Sequence, residues 1–264
     1  MAQGEIILLG TGTSSGVPVV GCRCPVCTST DSRNVRSRCS ALLSVAGDNI
    51  LIDTATDLRQ QALRHGIEHI DAVLYTHTHA DHIHGIDDLR PFNQPSRAPI
   101  PLYGSAASMS VIRQNFGYIF DEELEPGYRP RLALHAVDGP FTLFGLAVIP
   151  IRLRHGRGEA LGYRIGSFAY LTDCSAIPEE SFALLDGLDT LVIDALRFRP
   201  HVTHFNIAQA LSAAGRIGAR RTLLTHLSHE VDHGSHAGGL PAGVEFAYDG
   251  ETFPFSVARA AAND

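Results

Sequence analysis

Apolar residues in this chain gather in short runs, and many of the runs stop at glycine, histidine or aspartate. "EIILLGTG" predicts a strand that enters a glycine-rich turn. "SALLSVAGDNILIDTA" is a pair of apolar runs about "AGDN", the pattern of a hairpin. "DLRQQALRHGI" has helical spacing closed by a glycine. "DAVLYTHTH" predicts a buried strand, with a loop and a helix after it. "PFTLFGLAVIPIRLRHG" predicts two strands about Gly145, and "ALGYRIGSFAYLTDCS" two more about Gly166-Ser167. "LDTLVIDA" is a strand, "FNIAQALSAAGRIGA" a helix ending at Gly218, and "RRTLLTHLSH" another strand. The Pro-rich "RPFNQPSRAPIP" reads as a loop and a candidate rim for a site, and the tail at 258–264 as frayed. Interleaved strands and helices without a fixed short repeat give an α/β fold class.

Several predicted strands end in His77 and His79, His155, Asp173, Asp194 or His226. Loops at strand ends are where layered α/β folds place their chemistry. The densest stretch is "THTHADHIHG", residues 76–85. His77 and His79 alternate by two, so an extended backbone turns both imidazoles to one side. Asp81 and His82 follow at the turn into a helix and can face a second point close by. One segment can thus begin two metal sites, and imidazole with carboxylate suits Zn, Mn or Fe.

"GCRCPVC" supplies Cys22, Cys24 and Cys27. Three thiolates need one more ligand to close a tetrahedral zinc site, and His229 is the candidate. Such a site has no open position, so its expected role is structural, in a zinc loop spanning 20–28. Cys39 and Cys174 read as small buried residues. The opening glycines lack the Gly-Lys-Ser/Thr ending of a phosphate loop and read as tight-turn residues near the metals.

At 264 residues, 44% hydrophobic and 19% charged, the composition is globular, and the length suits one domain over 1–264. No apolar run is long enough for a membrane helix and the start does not resemble a signal peptide, so a cytoplasmic protein without a membrane partner is expected. A net charge of −7 disfavours broad nucleic-acid binding, and no stable nucleic-acid partner is expected. A small phosphate ester stays open, because bound cations reverse the local field. A homodimer is the default expectation.

His-x-His-x-Asp-His after a strand resembles the signature of the metallo-β-lactamase superfamily, and the resemblance extends over nearly the whole chain. It implies an αββα sandwich: two mixed β-sheets flanked by helices, with a one- or two-metal site at one edge. It also implies His155, Asp173 and His226 as the remaining ligands. His77, His79 and His155 would hold one metal, Asp81, His82 and His226 the other, and Asp173 would bridge them. Asp53 in "LIDTA" would orient a ligand histidine. The cysteine cluster, the opening "LGTGTSSGVPVVGCRCPVC" and "THLSH" narrow the resemblance to the PhnP-type phosphodiesterases of phosphonate utilisation.

That resemblance implies a metal-dependent hydrolase with two divalent metals, Mn or Zn, in the active site and one structural Zn. Its substrate would be a small, cyclic phosphodiester such as phosphoribosyl 1,2-cyclic phosphate, attacked by a metal-activated hydroxide with Asp81 in the catalytic set. His204 in "RPHVTHFNIAQAL" matches the proton donor to the leaving alkoxide, with His201 beside it. Other activities share the main motif: ribonuclease Z, whose long tRNA-gripping arm is not found here, and thioester or lactam hydrolases. A non-catalytic metal-binding domain is the reading from another class. His84 reads as outer shell or solvent, and His65, His69 and His135 have no partners in sequence. His233 and His236 are candidates for the pocket mouth. One of Arg152, Arg154 and Arg157 could hold a substrate phosphate.

Overall fold

The computed structural model describes residues 2–96, 98–121 and 127–257; the tail at 258–264 lies outside them. Its strands are β1 (Ala2–Gly10), β2 (Ser40–Val45), β3 (Asp48–Ile52), β4 (Ala72–Leu74), β5 (Ile100–Gly104), β6 (Leu132–Ala136) and β7 (Phe141–Leu143). They continue with β8 (Leu146–His155), β9 (Gly158–Ile165), β10 (Phe168–Leu171), β11 (Thr190–Asp194), β12 (Arg221–Thr225), β13 (Val244–Phe246) and β14 (Thr252–Val257). The helices are α1 (Leu58–His65), α2 (Ala80–Ile83), α3 (Asn93–Ser96), α4 (Ala106–Asn115), α5 (Glu179–Phe182), α6 (Ile207–Ile217) and α7 (His233–Ala237).

Two sheets of seven strands form, in the orders β14-β1-β2-β3-β4-β5-β6 and β13-β12-β11-β10-β9-β8-β7. Each is antiparallel over one half and parallel over the other, at β3–β6 and at β10–β13. The continuous apolar runs follow from burial on both faces. Along β2, β3 and β4, Leu43, Ile50, Ile52 and Leu74 turn inward and meet Val148, Phe168, Tyr170 and Val192 of the second sheet. The alternate residues Leu42, Leu51 and Val73 turn outward under α1 and α4. On the second sheet Leu191, Ile193 and Leu224 face α6. The four layers are therefore helix, sheet, sheet and helix, as the resemblance implies. Each fully buried Leu or Ile contributes roughly 1.5–3 kcal/mol.

Local signals hold where their chemistry is strong. The α6 helix begins with a capping box between Asn206 and Gln209 and stops at Gly218 in the left-handed region. Ala46 and Gly47, both at positive φ, close the β2–β3 hairpin. The Pro-rich segment corrects the sequence reading. Residues Ile86–Phe92 form a 3₁₀ helix, Asn93–Ser96 a helical turn, and β5 starts at Ile100. The opening glycines also do more than turn the chain. A Cβ on Gly10 would lie 2.0 Å from the Arg38 carbonyl oxygen, so glycine there permits close backbone approach. Among the described residues no helix is long and apolar enough to cross a membrane.

Candidate active site

Parallel strands of both sheets deliver their carboxyl ends to one edge, and the polar residues of interest follow those ends. Three stand at left-handed corners: Asp53 after β3 at φ 60°, Asp173 after β10 at φ 55° and His226 after β12 at φ 58°. Non-glycine residues pay on the order of 1–3 kcal/mol for that conformation, and such strain gathers at functional sites. His77 and His79 lie on the stretch leaving β4, and α2 sets Asp81 and His82 in its first turn.

All seven predicted residues meet there. His77, His79, His155 and Asp173 form one cluster, and Asp81, His82 and His226 form another beside it. Asp173 joins them. Its Oδ2 lies 3.6 Å from His77 Nε2 and 3.7 Å from His155 Nε2, while its Oδ1 lies 3.1 Å from His82 Nε2 and 3.4 Å from His226 Nε2. His155 Nε2 is 3.2 Å from His79 Nδ1. Asp81 Oδ2 is 3.3 Å from His82 Nε2 and 3.8 Å from His226 Nε2. Ligands about 2.1 Å from a tetrahedral cation stand about 3.4 Å apart, so the spacing fits two cations. Nε2 of His77, His82 and His226 is buried without a hydrogen-bond partner, which fits the same assignment.

The electrostatics agree with a cation-binding cradle. Burial works against the Asp173 carboxylate, yet His226, His82 and His77 together hold it well below the usual range. Burial likewise opposes charge on His226, but Asp173, Asp81 and Asp194 push it up to about 9. His82 is raised in the same way by Asp173 and Asp53, whereas burial drives His77 well below its ordinary value. Buried carboxylates that demand compensating positive charge suit a divalent cation.

Second partners fix the rings. Asp53 Oδ2 lies 2.7 Å from His82 Nδ1 and is itself held by the Thr76 amide and hydroxyl, as the sequence reading expects of a residue behind a histidine. The Thr203 carbonyl accepts from His155 Nδ1 at 2.7 Å. His204 Nδ1 bonds Asp194 Oδ2 at 2.8 Å, and its Nε2 faces the cluster, 3.9 Å from Asp173 Oδ2. Its ring stacks on His226 at 4.6 Å. His201 is half-exposed, bonded to Thr203, and outside the cluster. Sequence reasoning marked Asp194 as a strand end but gave it no role; it is fully buried and positions His204.

Cys22, Cys24 and Cys27 surround His229 Nδ1 at 3.3, 3.6 and 3.5 Å. A tetrahedral zinc with thiolate and imidazole ligands has S···N edges of about 3.5 Å, so this cluster fits a closed Cys3His site. It ties the loop after β1 to the segment that carries His226.

The remaining candidates separate cleanly. His84 is exposed against Phe116, His135 stacks on Tyr103, and His69 meets the Gly47 carbonyl at the surface. His65 is half-buried beside Gly250. His233 and His236 correct the pocket-mouth reading: they belong to α7, with His233 buried against Phe246 and Tyr248 and the half-buried His236 edge-on to the exposed Phe198. Arg154 is paired with Glu159, whereas Arg152 lines a cavity of about 660 Å³ that opens beside His77. That cavity is walled by the ends of β5 and β6, the start of α4 and the β8–β9 pair, and none of the described residues of 90–101 lines it.

Residues 48–227 match the family described as beta-lactamase superfamily domain. The chain belongs to this superfamily. It has the metallo-β-lactamase fold, with a histidine–aspartate metal-binding cluster. Among solved structures it resembles a diphosphatase from the PhnP family, with a TM-score of 0.91 and 43% identity, covering 96% of this chain and 97% of that one. Zn²⁺-bound PqqB from Methylobacterium extorquens shares the fold at a TM-score of 0.78 and 21% identity, covering 94% of this chain and 99% of that one. The short form of human tRNase Z shares it at 0.68 and 20%, covering 94% and 98%. Among curated proteins, one named octanoyltransferase from Porphyromonas gingivalis is 43% identical over 249 residues, 92% of this chain and 50% of that protein. The chain thus spans about half the length of that relative. Coenzyme PQQ synthesis protein B of Methylobacterium nodulans is 30% identical over 221 residues, 72% of each chain.

Proposed function

We propose that the chain is a phosphodiesterase acting on a small, cyclic phosphodiester, of which phosphoribosyl 1,2-cyclic phosphate is the model. The observation that carries this reading is Asp173, whose two oxygens face two separate histidine groups, with His204 aimed at the same point. His77, His79, His155 and Asp173 would hold one cation, and Asp81, His82, His226 and Asp173 the other. Two such ions, Mn or Zn, would supply an activated water and offset charge on phosphoryl oxygens when bound. Cys22, Cys24, Cys27 and His229 would hold a structural Zn.

The chain's own part is positional. Asp53 and the Thr203 carbonyl lock the rings of His82 and His155. Asp194 keeps Nδ1 of His204 engaged, so the proton passed to a leaving alkoxide is the one on Nε2. An alkoxide leaves poorly, and that proton is worth roughly 10²–10⁴-fold.

The 43% identity to a diphosphatase favours a second reading, in which the leaving group is a phosphate rather than an alkoxide. The net charge of −7 disfavours a nucleic-acid substrate. The test is hydrolysis of bis(p-nitrophenyl) phosphate by protein reconstituted with Mn²⁺ or Zn²⁺, beside a diphosphate diester, a thioester and a cephalosporin. Metal-dependent turnover of the phosphodiester supports the proposal. Turnover of the diphosphate alone selects the second reading, and turnover of only the thioester or cephalosporin rejects both.

A further inference from the structure

The cavity beside His77 is larger than a phosphoryl group requires, and the proposed chemistry leaves it unused. Its volume, about 660 Å³, falls within the range of roughly 300–1,000 Å³ typical of organic ligand sites. One wall is the first turns of α4, where Ala106, Ala107 and Val111 leave an open apolar surface. Val137 and Leu161 line it from other segments, so an apolar ring has surface to meet on more than one side. The polar lining includes Ser105, Asp138, Arg152 and Glu159, of which Glu159 is paired with Arg154. A hydroxylated ring can meet hydroxyl and guanidinium donors at such a margin.

The cavity and the proton donor lie in different places around the cluster. His77 lines the cavity; His204, His226 and Asp194 do not. His204 instead stacks on His226 and packs edge-on against His155 at 4.8 Å. A leaving oxygen must lie within reach of His204 Nε2 to take its proton. The organic group that carries the ester oxygens is then free to extend from phosphorus into the cavity.

We infer that the cavity binds the organic part of the substrate, and that this part is a ring-bearing group of nucleoside size. The inference rests on the phosphodiesterase reading for its orientation. Water adds to phosphorus, the bond from phosphorus to the leaving oxygen breaks, and that oxygen takes up a proton. From a cyclic diester the product is one molecule that carries both the freed hydroxyl and a phosphomonoester; from an acyclic diester the products are an alcohol and the phosphomonoester of the cavity-bound group.

The test compares thymidine 5′-(p-nitrophenyl) phosphate with methyl p-nitrophenyl phosphate on the metal-reconstituted full chain. Calorimetry with thymidine 5′-monophosphate runs beside it as a readout independent of turnover. The wild type should favour the thymidine diester at least tenfold in kcat/KM, and the monophosphate should compete with substrate. Ala107→Phe, at an exposed helix position, should reduce that preference at least fivefold and weaken the monophosphate by a similar factor. Arg152→Ala, measured because a phenylalanine can swing into solvent, should weaken the monophosphate at least threefold. No preference in the wild type, or a preference and an affinity that both variants leave intact, overturns the inference. If neither diester is cleaved, the phosphodiesterase reading fails by itself. Loss of monophosphate binding in the variants then still supports the cavity as a binding site, and unchanged binding overturns it.

Discussion

Asp194 grips His204 by Nδ1 at 2.8 Å and uses the same oxygen to accept the Cys174 amide at 2.7 Å. The imidazole therefore has one orientation, with Nε2 toward the cluster. His204→Ala should lower turnover of an alkyl phosphodiester by roughly 10²–10⁴-fold. A p-nitrophenyl diester, whose leaving group needs no proton, should lose less than about tenfold. Asp194→Asn keeps the shape but removes the charge, and should show the same leaving-group dependence at smaller size. Equal losses on both substrates would assign His204 to binding instead.

Asp81 is the carboxylate that belongs to one cluster alone, whereas Asp173 serves both. Asp81→Ala should abolish turnover while the circular-dichroism spectrum stays that of the wild type. Elemental analysis should find one cation fewer per chain. Asp53→Ala, which frees the His82 ring, should weaken cation affinity by about 10–100-fold. Full activity in Asp81→Ala would reject the two-cation assignment.

Cys24 sits 3.6 Å from His229 Nδ1, in a cluster separate from the histidine–aspartate groups. Cys24→Ser should lower the melting temperature by roughly 5–15 °C, as expected when a structural cation is lost. Turnover per folded molecule should fall by a smaller factor. An unchanged melting temperature with one cation fewer would remove the structural assignment.

His233 gives a pH dependence away from the clusters. Burial pushes it down to about 4, with Arg33 and Arg36 adding to the effect and Asp31 and Asp232 opposing it. An unfolded histidine titrates near ~6.5. Between those values the unfolded chain binds the extra proton, so this group lowers stability as pH falls from about 6.5 to 4 and contributes nothing more below that. After allowance for solvent screening the loss is about 2 kcal/mol. Urea unfolding at pH 7.5 and 4.5 should show a smaller decrement in His233→Gln than in the wild type.

The metal-binding residues were legible because their signal is local: "THTHADH" carries four of them with its own backbone geometry, and the others each close an apolar strand. Asp194 could be seen as a strand end, but its role depends on where the chain returns with His204, which no spacing rule encodes. The cavity was invisible for a related reason, since its walls come from segments as distant as Thr76, Ala107 and Leu161. Proline misled the reading of residues 90–101. Pro91 lies in a 3₁₀ helix and Pro95 in a one-turn helix, where few internal N–H bonds exist for proline to remove. His233 was assigned to a pocket mouth from neighbouring glycines, yet the Asp232 cap on the Ser235 amide turns that stretch into α7.

The division of the residues between the sheets has a consequence for assembly. His77, His79, Asp81 and His82 follow a strand of the first sheet, and His155, Asp173 and His226 follow strands of the second. Neither half of the chain owns a complete cradle. A cation in either place acts as a bolt between two leaves, and its capture reports that the leaves have closed. Cut in the turn between β6 and β7, the chain would give two fragments that each lack a cradle, and divalent ions would draw them back together. Cation binding thereby adds to the closure that the apolar core between the sheets already drives.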